Sequence, residues 1–269
     1  MWQTIRDERT TLVDLSVGLE SDSPSEPFPP SIERFDHRRG AELLAGRLRE
    51  IGFGDVDADD FPEEIGLAWE EITAITHAGT HMDAPWHYGP KSGGSESRTI
   101  DDVPLEWCIG EAIVLDFTEK GSGAEIGVDE IEAELEVIDH ELEEGEIVLV
   151  RTGADELWGT ADYLTEFPGM GADATEYLVE RGVKVIGTDA YGFDKPFAEM
   201  GRRYVESDAE EELWPAHFAG RDVEYCQIEK MANLTELPRT GATIVTFPVN
   251  IAGGSAGWVR PVALVEEGA

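Results

Sequence analysis

A chain of 269 residues carries 58 Asp and Glu against 20 Lys and Arg, of which five are Lys, and its formal net charge is -38. Such a charge repels phosphate backbones and anionic headgroups, so nucleic acid and membrane surfaces are excluded as partners at ordinary ionic strength. It also strains the compact state in dilute buffer, and because the Debye length falls to about 3 Å in 1 M salt, the composition points to a halophilic protein of a salty cytoplasm. A hydrophobic share of 41% with seven Trp supports a sizeable core and argues against disorder. Cys108 and Cys226 have no CxxC spacing, which leaves them as free thiols of a reducing compartment. The N-terminus, Met-Trp-Gln-Thr-Ile-Arg-Asp-Glu-Arg, has no apolar run after its charges, and no stretch of about 18 apolar residues follows. A soluble cytoplasmic protein is expected.

In chain order, residues 11–17 read as a strand, and the four prolines of residues 21–30 then impose an irregular arm. Residues 39–51 have helical spacing in Leu43, Leu44, Leu48 and Ile51, with Gly52 and Gly54 as a stop. Residues 71–76 look extended. Strand-like runs recur at 112–117, 147–151, 183–188, 243–249 and 258–265. Between them, residues 128–138 form an acidic amphipathic helix with Ile131, Leu135 and Ile138 inward. Asp173-Ala-Thr-Glu176 resembles a capping box opening a helix that stops at Gly182. Alternating helix and strand predict an α/β or mixed class, and without a flexible linker or an internal repeat one domain spans residues 1–269.

Three of the six histidines fall within His77-Ala-Gly-Thr-His81-Met-Asp83-Ala-Pro-Trp-His87. His77, His81, Asp83 and His87 are separated by even steps, so a mainly extended backbone places all four side chains on one side. Gly79 and Pro85 argue for a strand end rather than an unbroken ladder. Two imidazoles and a carboxylate are the ligand set of many catalytic zinc sites, and manganese accepts the same set. Such a metal acidifies its bound water and polarises a carbonyl, as hydrolysis of an amide or ester requires, and His87 is then the proton carrier. The alternative is a structural turn in which His and Asp satisfy one another.

The segment resembles the HxGTHxDxPxH signature of the putative cyclase family, which includes kynurenine formamidases and isatin hydrolases, and every fixed position of it is present. Ile186-Gly-Thr-Asp189 is similar to the family's GxD strand end. Trp214-Pro-Ala-His217 through Glu229-Lys-Met-Ala-Asn233-Leu resembles its second metal motif, so the likeness runs from about Asp14 to Val265. The resemblance implies His77, His81 and Asp83 as ligands of one divalent metal, zinc or manganese, and His87 as the catalytic acid/base. In members with two ions, it implies that Asp83 bridges to a second ion completed by His217 and Glu229. It also implies a compact α/β domain of the swivelling β/β/α kind, with a mixed sheet or barrel-like core, assembled as a homodimer or homotetramer. Asp189 is either an orienting partner of a ligand histidine or a strand-end turn residue. Trp86, Trp107, Trp214 and Phe28 are open to pocket or core roles.

One departure concerns the substrate. Kynurenine formamidases carry a Trp-Pro-Gly-Asp-like segment after the first strand, whereas this chain reads Asp22-Ser-Pro-Ser-Glu-Pro-Phe28-Pro-Pro. The expectation is a hydrolase in which a metal-bound hydroxide cleaves an amide of a small molecule, an aryl formamide or a cyclic amide. The alternatives are a lyase or cyclase using the same metal, or a non-catalytic metal-binding assembly protein. No nucleotide cofactor is expected, for no phosphate loop or dinucleotide fingerprint occurs.

Overall fold

A computed structural model describes residues 9–266. The N-terminal stretch read above for a targeting signal lies, up to residue 8, outside the described residues. The chain forms two compact units: residues 20–22 with 28–75, and the remainder.

The smaller unit holds helix α1 (His37–Glu50) and an antiparallel pair of strands, Ser31–Phe35 and Trp69–Thr73. Asp36 starts α1 by accepting the Arg39 amide. The helix buries Gly40, Ala41 and Ala45, while Leu43, Leu44 and Leu48 are half-buried and Ile51 is exposed. Small residues occupy this face because the backbone of residue 67 lies against it: a Cβ on Gly40 would come within 1.8 Å of the Leu67 carbonyl oxygen. The strand at 69–73 is mostly exposed and ends before His77.

The larger unit is built on a nine-stranded mixed sheet. Its strands are β1 (Thr10–Asp14), β2 (His81–Asp83), β3 (Ile109–Asp116), β4 (Ile147–Arg151), β5 (Val185–Thr188), β6 (Cys226–Glu229), β7 (Ala242–Val245), β8 (Ala256–Trp258) and β9 (Val262–Glu266). The order is β1-β9-β7-β3-β4-β5-β6-β2-β8. The centre, β3 to β6, is parallel, and both flanks are antiparallel. The central strands are covered on both faces, which explains their continuous apolar runs. Ala112, Val114, Ile147 and Leu149 face one core, with Met82, Ile228 and Ile244. Ile113, Leu115, Val148 and Val150 face the other, with Ile131 and Leu135 of α3 (Val128–Val137) and Ala174 and Leu178 of α4 (Ala172–Glu180).

Two expectations are corrected. The apolar run at 258–265 is two strands: Pro261 interrupts it, and its halves enter the sheet as β8 at one edge and β9 beside β1. Helix α4 begins at the N-cap Gly171, two residues earlier than the capping-box reading placed it, and Asp173 lies within the first turn instead. Cys108 and Cys226 are free and buried. Among the described residues, no helix is long and apolar enough to cross a membrane.

Candidate metal centre

The site is assembled by β2, β6 and the turn before β2. Residues 76–80 are turn and bend, with Gly79 in the left-handed region at φ +62°. Its N–H donates to Glu26 Oε1 at 2.7 Å, and its carbonyl lies 2.9 Å from His81 Nδ1. That carbonyl accepts the hydrogen bond of Nδ1–H, which turns Nε2 inward. Strand β2 pairs with β6 so that His81 stands opposite Glu229 and Asp83 opposite Gln227. Side chains alternate across a strand, so Met82 and Ile228 enter the apolar core while the four polar residues share the other face. Pro85 then opens a helical turn, α2 (Pro85–Tyr88), which carries His87. Helix α5 (Phe197–Ser207) precedes the short α6 (Pro215–Ala219), and α6 supplies His217.

Asp83 is the hub, with no exposed surface. Its Oδ1 lies 2.8 Å from His77 Nδ1 and 3.4 Å from His81 Nε2, and its Oδ2 lies 3.9 Å from both His87 Nε2 and His217 Nε2. Glu229 Oε2 is 3.6 Å from His81 Nε2, and Glu229 Oε1 is 3.6 Å from His217 Nε2. Two sets of three ligand atoms, each set mutually within 4.8 Å, result: His77, Asp83, His87 and His81, Asp83, Glu229. His81 Nε2 and Asp83 Oδ1 are buried and neither has a hydrogen-bond partner. Orphaned polar atoms cost free energy in a dry interior; a lone pair and a carboxylate oxygen converging on one point fit a divalent cation.

The charges shape one another. Burial opposes ionisation of Asp83, but the imidazoles of His81 and His87 outweigh it and hold the carboxyl well below its ordinary range. Burial, with Asp83 nearby, raises Glu229. His87 is pushed down to about 4 by burial, and the neighbouring imidazoles of His217, His77 and His81 add to that against Asp83. Its side chain keeps 33% exposure, so water moderates the shift without reversing it. His87 is therefore neutral near pH 7 and able to accept a proton. For His217, burial is outweighed by Asp194, whose carboxylate bonds Nδ1 and takes the α6 amides of Ala216 and His217.

The segment is extended over three residues and breaks where Gly79 and Pro85 stand: His77 lies in a turn, His81 and Asp83 on a strand, and His87 on a helical turn. Positive φ at Gly79 and the fixed φ of Pro85 break the extension, and the turns bring the side chains together regardless. His217 and Glu229 join the same cluster. Asp189 is a strand-end residue, accepting from the Thr152 amide and hydroxyl and the Gly153 amide at 2.8, 2.6 and 2.8 Å; burial raises it to about 6. Orientation of a histidine falls instead to Asp194, which no spacing in the sequence marks. Gln227 and the buried pair Glu26–Lys230 also had no sequence signal: Lys230 Nζ lies 3.0 and 2.8 Å from the Glu26 oxygens and 2.8 Å from the His77 carbonyl. Trp86 and Trp214 are partly exposed, while Trp107 packs against the core beneath Arg98 and Lys184.

The sequence profile described as putative cyclase matches residues 13–195. Isatin hydrolase of Roseibium aggregatum is 30% identical over 218 residues, covering 74% of this chain and 75% of its own. Kynurenine formamidase of Erythrobacter litoralis is 27% identical over 194 residues, 71% and 74% of the two chains. The solved isatin hydrolase A from Ralstonia solanacearum superposes with a TM-score of 0.75 at 24% identity, over 98% of this chain and 95% of that one, and shares the fold. The chain belongs to the putative cyclase family and is an enzyme of the hydrolase class that these relatives represent. His217, Gln227 and Glu229 lie beyond the profile match; the β2–β6 pairing ties Gln227 and Glu229 to the signature, and α6 brings His217 within 3.9 Å of Asp83.

Proposed function

We propose that the protein is a metal-dependent hydrolase of small amides, with His77, His81, Asp83 and Glu229 holding a divalent ion, zinc or manganese. The observation that carries this is the pair of buried, unpartnered atoms, His81 Nε2 and Asp83 Oδ1, beside the partly exposed His87. A bound ion would lower the pKa of a water toward neutrality and polarise the amide carbonyl. His87, neutral by desolvation, accepts the proton of the attacking water at Nε2 and returns it to the departing nitrogen. Gly79 and its bond to Glu26 hold His77 and His81 at the geometry this requires. The relatives named isatin hydrolase and kynurenine formamidase support a cyclic amide or an aryl formamide as substrate. The net charge of -38 supports work at high salt and disfavours polyanionic partners. A cytoplasmic homo-oligomer acting on a small molecule completes the reading.

The test is metal content together with turnover of isatin, N-formylkynurenine and a panel of aryl amides. His87→Ala should retain metal and lose about 10²- to 10⁴-fold in kcat. Undiminished turnover in that variant removes His87 from the chemistry, and a metal-loaded protein that cleaves no amide shifts the assignment to a lyase or cyclase.

A further inference from the structure

Gln227 has no exposed surface and lies opposite Asp83 on β6. Its Nε2 is 3.1 Å from Asp83 Oδ2, 3.0 Å from Glu229 Oε1 and 2.7 Å from His217 Nε2. Those three residues are the set that the family resemblance places around a second ion. The amide orientation follows from its surroundings: reversed, the oxygen would face the two carboxylates of Asp83 and Glu229. As oriented, the amide oxygen accepts from the Tyr225 hydroxyl at 3.0 Å. Asp194 holds His217 at Nδ1, which turns its Nε2 toward Gln227.

The two sides of the centre therefore differ. Asp83 Oδ1 and His81 Nε2 are orphaned, whereas Asp83 Oδ2 and Glu229 Oε1 each take one of the two Gln227 amide protons, and His217 Nε2 lies against the same nitrogen. A metal sits about 2.0–2.2 Å from nitrogen and oxygen ligands. A nitrogen already 2.7–3.1 Å from the same atoms fills the space between them.

We propose that the Gln227 carboxamide takes the place of the second ion, its N–H groups meeting acceptors that a cation would otherwise meet, so that the centre holds a single divalent ion on the His81 side. The inference rests on the metal-dependent reading above. Gln227 is a positioning residue in this account: by pinning Oδ2 and Oε1 it leaves Asp83 Oδ1 and Glu229 Oε2 as the free ligand oxygens.

The experiment counts ions per chain by elemental analysis of protein reconstituted with excess Mn²⁺ and desalted, and records its electron paramagnetic resonance spectrum. Wild type should hold one ion per chain and give the spectrum of an isolated Mn²⁺. Gln227→Ala, which opens the space, and Gln227→Glu, which keeps the shape but supplies a carboxylate, should each hold two and give the spectrum of a coupled pair. If Gln227→Ala does not fold, Gln227→Glu carries the test. Two ions in wild type, or one in the folded variants, overturns the role of Gln227 while leaving a metal enzyme. No ion in wild type after reconstitution removes the metal reading itself.

Discussion

The two antiparallel flanks of the sheet share a geometry and differ in content. In β1-β9-β7, Val13 pairs with Ala263 and Ala263 with Ile244, and the residues are buried and apolar. In β6-β2-β8, the same ladder pattern sets Gln227 against Asp83 and Glu229 against His81. Cross-strand neighbours stand about 4.5–5.5 Å apart in either flank. Aliphatic pairs stabilise by leaving water; buried carboxylates and imidazoles at that spacing cost free energy unless a partner meets them. The contrast teaches that the first flank is there for stability. The second is the candidate metal centre, whose buried polar groups are tolerated because the rest of the fold holds them together.

The largest effect is expected where the polar flank is braced. Lys230 follows β6 and pairs with Glu26, both nearly fully buried, and the pair also grips the His77 carbonyl and the Gly79 amide. Lys230→Met strands the Glu26 carboxylate and should cost about 3–5 kcal/mol in denaturant unfolding. Adding Glu26→Leu should recover much of that loss. A cost for Lys230→Met no larger than that of a surface substitution would show that the polar flank needs no brace.

An intermediate effect concerns protonation. His87 has a folded-state pKa depressed to about 4, so the native metal-free protein excludes a proton that the unfolded chain binds from about pH 6.5 downward. Its contribution to stability is present above that pH and is lost as the pH falls toward about 4. In imidazole NMR of the metal-free protein, His87 should remain neutral well below pH 6.5, and a midpoint at the ordinary histidine value would break the desolvation argument. The smallest effect belongs to the apolar flank. Ile244→Val should cost about 1 kcal/mol by removing one buried methylene, with metal content unchanged; a change in metal content would mean that the two flanks are coupled.

Much of the fold was legible in local pattern. The apolar run of β4 was read with its observed bounds, and the α3 face of Ile131 and Leu135 is the buried one. Reading failed where residues lack apolar periodicity. Strand β2 is three residues, two of them polar, and β6 places Gln227 and Glu229 among apolar neighbours. Both are strands because they complete a ladder, which no propensity reports. The capping-box reading failed at Asp173 because residues 169–170 pair with 125–126 and the helix starts directly after that pairing, at Gly171.

For the site, the sequence by itself determined the density of ligands: His77, His81, Asp83 and His87 within eleven positions, with Gly79 and Pro85 permitting the turns between them. Chain proximity makes such a cluster visible. Tertiary structure alone decided what faces Asp83 from the other side. Asp194, His217, Gln227 and Glu229 lie more than a hundred residues away; the β6–β2 pairing brings in Gln227 and Glu229, and α6 brings in His217 with Asp194 bonded to it. Pairing register acts across space and leaves no local pattern, so the composition of the centre beyond its first half is a property of the sheet.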